Sequence, residues 1–125
     1  MNSLLLVMGG GAVGAGARHL TGRAMAAALG TGWPWGTLTV NLVGGLCMGL
    51  LVGVLARASQ GGEPWRLLLG VGVLGGYTTF SSFALDASVM IERGALGAML
   101  GYVLVSVVGS ILALFAGLML ARVAA

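Results

Sequence analysis

The sequence predicts an all-α integral membrane protein of four transmembrane helices, with a break in the third. Three observations carry that expectation. Of the 125 residues, 58% are hydrophobic and only 7% are charged, whereas an ordinary soluble domain carries about 25% charged residues. Glycine occupies 24 positions, a density that transmembrane helices tolerate better than soluble ones. Segments of the roughly 20 apolar residues needed to cross a bilayer core recur along the chain and leave no stretch over for a soluble domain. Residues 1–125 are therefore read as a single transmembrane domain.

The first span runs from about 4 to 29 and is interrupted by Arg18 and His19. Its opening "LLLVM" is short for a signal-peptide core and has no basic residue before it, so "AGA" at 15–17 is not taken as a cleavage site. The second span, 36–55, contains no charge. The third covers about 66–91. In it, Gly72, Gly75 and Gly76 precede a run of hydroxyl and aromatic residues. Adjacent glycines weaken a helix, which places the break near 75–79. The fourth span, 95–121, is again uncharged. The connections "GTGWPW", "ARASQGGEPW" and "ERGA" are short, and Trp33, Trp35 and Trp65 fall in them, at the headgroup level where aromatic side chains anchor helices.

The charges exclude several classes. All six basic residues are arginines (Arg18, Arg23, Arg57, Arg66, Arg93, Arg122), spread singly along the chain, whereas a nucleic-acid surface gathers them on one face. No nucleic-acid partner is expected. Cys47 is the only cysteine and is read as a small hydrophobe. Sorted by membrane side, Arg57, Arg66 and Arg122 oppose Arg18, Arg23 and Arg93. Arginine bias sets orientation, so a balanced set predicts insertion both ways. An antiparallel, dual-topology homodimer follows, the two-chain counterpart of the inverted repeats of larger transporters.

Polar residues fall in stripes. Tyr102, Ser106 and Ser110 are spaced i, i+4, i+8 on the last helix. Thr37 and Asn41 begin a row on the second helix that continues as Gly45, Gly49 and Gly53, a ridge of small residues that lets another backbone approach. A single serine or threonine is best read as glue between helices. Asn41 together with the tyrosine–serine stripe is better read as the lining of an ion path. No carboxylate lies in the first, second or fourth span, and Asp86 and Glu92 stand toward the end of the third. A cation pore or proton-coupled pump places acids in its pathway. Hydroxyls, an amide and the positive edges of phenylalanine rings suit a small anion instead. Spacing alone favours simple packing for Phe80 and Phe83. Carbonyls released at the break could hold a cation, as in the unwound helices of transporters.

Three motifs, "GGAVGAGARH" at 10–19, "GTLTVNLVG" at 36–44 and "GGYTTFSSF" at 75–83, resemble the Fluc (CrcB) family of small fluoride channels along essentially the whole chain. The resemblance implies a channel rather than an enzyme. It implies passive export of fluoride that protects the cell, two antiparallel pores per homodimer, and residence in a bacterial inner membrane. It places Asn41, Phe80, Phe83, Thr79, Tyr102, Ser106 and Ser110 along the fluoride path and Arg18 in its aqueous vestibule. It assigns a structural sodium ion between the subunits to the backbone carbonyls of Gly75 and Thr78. His19 stands where an aromatic residue is usual, Gly45-Leu46 replaces a bulkier pair, and Ser82 takes a position often held by threonine. His19 is expected at the membrane interface, with no titration role. The competing readings are a four-helix drug exporter, which needs an acidic residue in its first helix, and a non-transporting membrane subunit, which leaves Asn41, Phe80 and Phe83 unexplained.

Overall fold

A computed structural model describes residues 2–57 and 62–124, and within them every regular element is helical. Helix α1 spans Ser3–Leu29 and opens with the Asn2 side chain accepting the Leu4 N–H at 2.8 Å. This cap satisfies one of the donors a helix N-terminus leaves free. Helix α1 ends at Gly30, whose φ of 83° turns the chain out of the helix in a conformation glycine adopts at no steric cost. Helix α2 (Trp35–Leu55) follows Pro34. The polar connection after it lies partly at 58–61, outside the described residues.

The third span, Gly62–Glu92, is composite. A short α3 (Gly62–Trp65) leads into a π-helical stretch, Arg66–Leu74, and then into α4 (Gly75–Tyr77). The backbone leaves the helix over Thr78–Phe80 and resumes as α5 (Ser81–Glu92). Gly94, with φ 76°, turns the chain into α6 (Leu96–Val123). Among the described residues three helices are long and apolar enough to cross a bilayer: α2, the third span and α6. Helix α1 has 27 residues, about 40 Å at roughly 1.5 Å per residue, and carries Arg18, His19 and Arg23 along its length.

Close backbone contact holds these helices together. Helix α2 packs most extensively on α6, where a Cβ added to Gly49 would strike the Leu114 carbonyl and one added to Gly117 the Leu46 carbonyl. Helix α1 lies against the π-helical stretch in the same way, through Gly10 and Gly14. Lipid supplies no hydrophobic drive for helices to associate, so van der Waals contact between small-residue faces does that work. A buried cluster of Leu38, Phe83, Met90 and Tyr102 fills one end, with Trp33 and Trp35 packed around it.

The break lies slightly later than the glycines suggested. Gly75 and Gly76 remain helical, and extended backbone begins at Thr78 (φ −86°, ψ 161°). The physical reason is packing. A Cβ on Gly76 would come within 2.6 Å of the Gly11 carbonyl, so this glycine serves the close approach of α1. The helix is opened by a side chain from α2.

Candidate functional site at the helix break

That side chain is Asn41. Its Oδ1 accepts the Thr79 N–H at 2.9 Å, and its Nδ2 donates to the Thr79 carbonyl at 3.0 Å. The pair satisfies both main-chain groups of a residue outside the helix, as backbone at membrane depth requires. The Thr79 hydroxyl in turn accepts the Ser82 N–H at 3.1 Å and starts α5.

These two side-chain bonds have a consequence one turn back. In an unbroken helix the Thr79 N–H would reach the Gly75 carbonyl, and the Ser82 N–H the Thr78 carbonyl. Both amides are engaged elsewhere. Among the described residues, the carbonyls of Gly75, Gly76, Tyr77 and Thr78 accept no main-chain hydrogen bond. Thr78 is held from both sides. Its hydroxyl and its N–H both donate to the Leu74 carbonyl, at 2.9 and 3.0 Å, and its methyl group sits directly over Gly44.

Beside the break lies a groove of about 470 Å³, lined by Asn41, Thr78, Thr79, Phe80, Phe83, Ser106 and Ser110, with Gly75 at its edge. The structure thus brings together residues from α2, the third span and α6 that the sequence placed on separate stripes. Phe80 is 79% exposed and Phe83 is buried, with ring centroids 5.6 Å apart. The Ser106 hydroxyl is buried and has no hydrogen-bond partner among the described residues. An unpaired buried hydroxyl is costly, and this one borders the groove.

A second cavity, about 270 Å³, adjoins the first and is lined by Arg18, His19, Gly22, Thr37, Thr79 and Ser82. Thr79 borders both. Arg18 therefore stands in this second cavity, apart from the phenylalanine pair. Tyr102 lines neither. It is fully buried behind Phe83, at a centroid distance of 5.2 Å, and its hydroxyl donates to Asp86 Oδ2 at 3.0 Å. Its place is a brace for Phe83, one ring removed from the groove surface.

Sequence reasoning passed over Gly44, whose lack of a side chain seats Thr78, and the pairing of Thr21 with Tyr77 (3.0 Å). Thr21 gives its proton to the Ala17 carbonyl, so Tyr77 is the donor in that pair. The glycine closing "GTLTVNLVG" was the available signal for the first. Nothing local marks the second.

Chemically, the groove offers neutral donors: the second N–H of Asn41, the Ser106 and Ser110 hydroxyls, and ring edges of Phe80 and Phe83. Among the described residues no group of three or more His, Cys, Asp or Glu gathers to hold a metal ion. A largely apolar groove that carries polar groups from three helices, beside a broken helix in a multi-pass membrane fold, fits a channel or carrier.

The comparisons narrow that class. A family model described as "CrcB-like protein, Camphor Resistance (CrcB)" matches residues 5–118, and the chain belongs to this family. A protein of Sphingopyxis alaskensis named fluoride-specific ion channel FluC is 59% identical over 98% of this chain and 97% of its own length. One of Chelativorans sp. with the same name is 61% identical over 98% of each chain. One of Caulobacter vibrioides, also so named, is 54% identical over 98% of this chain and 97% of its own. The chain is a multi-pass membrane protein of a family with bacterial members.

Proposed function

We propose that this protein is a fluoride-selective channel giving passive exit of the anion across the cell membrane. The observation that carries the reading is the Asn41–Thr79 bracket. It opens the third helix and sets neutral donors from three helices around one groove. Fluoride is small and strongly hydrated, so its water is replaced only by several close donors. A cationic side chain in direct contact with fluoride along the groove would hold the ion too tightly to release it, since conduction needs weak binding. Arg18 supplies positive charge in the outer cavity, where it attracts anions while the groove itself stays neutral. Fluoride passes from there past Thr79 and Asn41 to the ring edges of Phe80 and Phe83, then along Ser106 and Ser110. Tyr102 acts on this path through Phe83.

The functional unit in this reading is an antiparallel homodimer with two pores, and α1 makes the fourth crossing. Exposure of Phe80 supports a partner, because an ion path needs a wall between it and lipid. The balanced arginines support insertion both ways. A sodium ion suits the freed carbonyls of Gly75 and Thr78, since neutral oxygen donors at unwound helices hold Na⁺. Gly75 is exposed on the protomer, open to a second copy. Bound there, the ion supplies a fixed positive charge joining two subunits. The residues of this chain that set up its site are Asn41 and Thr79, which divert the amides.

Proteoliposomes loaded with fluoride test the function. With potassium ionophore present, the protein should release fluoride to an electrode far faster than empty liposomes. Release at the empty-liposome rate overturns the channel. Proton-driven uptake of an organic cation would favour an exporter, although α1 contains no acidic residue.

A further inference from the structure

His19 was expected at the membrane interface without a role in the path. In the structure it is among the residues that line the outer cavity, with Arg18, Thr37, Thr79 and Ser82. The imidazole is exposed, and Arg18 is half-buried beside it. Thr79 borders both this cavity and the groove that holds Asn41. A cation on the wall acts on the approach of the anion without entering the neutral groove.

We propose that His19 is a proton-controlled part of the anion-capture site: protonated, it adds a second positive charge beside Arg18 and raises the supply of fluoride to the groove. The inference rests on the channel reading above and assigns regulation to the mouth of the same path. Histidine is the side chain whose ordinary titration falls between about pH 5 and 8.

The surroundings leave that charge uncompensated. On α1 the neighbouring charged groups are Arg18 and, one turn on, Arg23. Helix α2 contributes Gly36, Thr37 and Val40 to the cavity, and the third span contributes Thr79 and Ser82, none of them ionised. The closest acid along α5 is Asp86, one turn beyond Ser82. It borders the adjoining cavity and accepts the Tyr102 hydroxyl. No carboxylate lines the His19 cavity itself. A unit charge roughly 8 Å from an anion in high dielectric changes its local concentration about two- to threefold, and salt screens the effect over a Debye length of about 10 Å at 0.1 M.

The test is single-channel or macroscopic fluoride current in planar bilayers, with pH equal on both sides, at low fluoride and low ionic strength. The wild-type current should rise about two- to threefold between about pH 8 and about pH 5.5. That rise should disappear at about 1 M salt, where screening is nearly complete. His19→Gln should carry the same current at both pH values, and His19→Arg should be flat at a raised level. A rise that survives in His19→Gln, or that persists unchanged in high salt, overturns the inference while leaving the channel intact. Absence of fluoride current from the wild type at either pH overturns the channel reading, and this inference with it.

Discussion

Asn41 performs two tasks with one amide. Its Oδ1 and one N–H hold the Thr79 main chain, and in the proposed channel the second N–H serves the anion. Asn41→Ala leaves both Thr79 groups unpaired, at about 1–3 kcal/mol each, so it should lower the melting temperature in detergent and abolish flux together. Ser106 separates those two effects. Its buried hydroxyl has no partner among the described residues, and replacing such a group with a methyl is nearly neutral or stabilising. Ser106→Ala should therefore keep or raise the melting temperature while fluoride efflux falls several-fold. Efflux at the wild-type rate would show that the hydroxyl does not face the ion. For the rings, Phe80→Ile and Phe83→Ile each remove an edge interaction of about 1 kcal/mol, roughly a fivefold change in rate. Efflux should drop by about that factor while the oligomer elutes unchanged in size-exclusion chromatography. Unchanged efflux in both variants would return the pair to packing.

At the scale of elements, the break depends on a contact between helices rather than on the glycines within one. Thr78 keeps its conformation because α2 presents Gly44 beneath its methyl group. Gly44→Ala should displace Thr78, disturb the carbonyl row from Gly75 onward, and reduce both efflux and dimer recovery. Gly36→Ala, at the other end of the same motif, meets only the Gly22 main chain at 3.0 Å and should be milder in both readouts. The comparison shows what was legible beforehand. Apolar length and tryptophan placement located the helices to within a few residues, because hydropathy and interface anchoring are local properties. The Gly45, Gly49 and Gly53 ridge was legible as a packing face, and it does meet α6. The start of the break was not. Gly75 and Gly76 carry the composition of a break but remain helical, Gly76 packed against Gly11 of α1, while Thr78 and Thr79 are opened by Asn41, distant in sequence. Tyr102 was read into one stripe with Ser106 and Ser110, but its burial behind Phe83 depends on side-chain packing that spacing does not encode.

For the whole molecule, the protomer presents a groove that one chain leaves open, with an exposed Phe80 in its wall. The dimer proposed to close it requires copies inserted in both directions, which the balanced arginines permit. Adding two arginines at the C-terminus should tilt that balance, so that tagged termini become accessible from one side only and efflux per protein falls. The unaltered protein should expose its termini on both sides. Termini confined to one side in the unaltered protein would remove the antiparallel assembly while leaving the groove within each protomer as described.

The central claim is that neutral donors around the helix break pass fluoride and refuse larger halides. It is tested most directly by the reversal potential of the purified protein in a planar bilayer with fluoride on one side and chloride on the other. The account predicts current that reverses far toward the fluoride equilibrium potential, with no measurable chloride component. A reversal potential near zero, or one that follows the cation gradient, would contradict it.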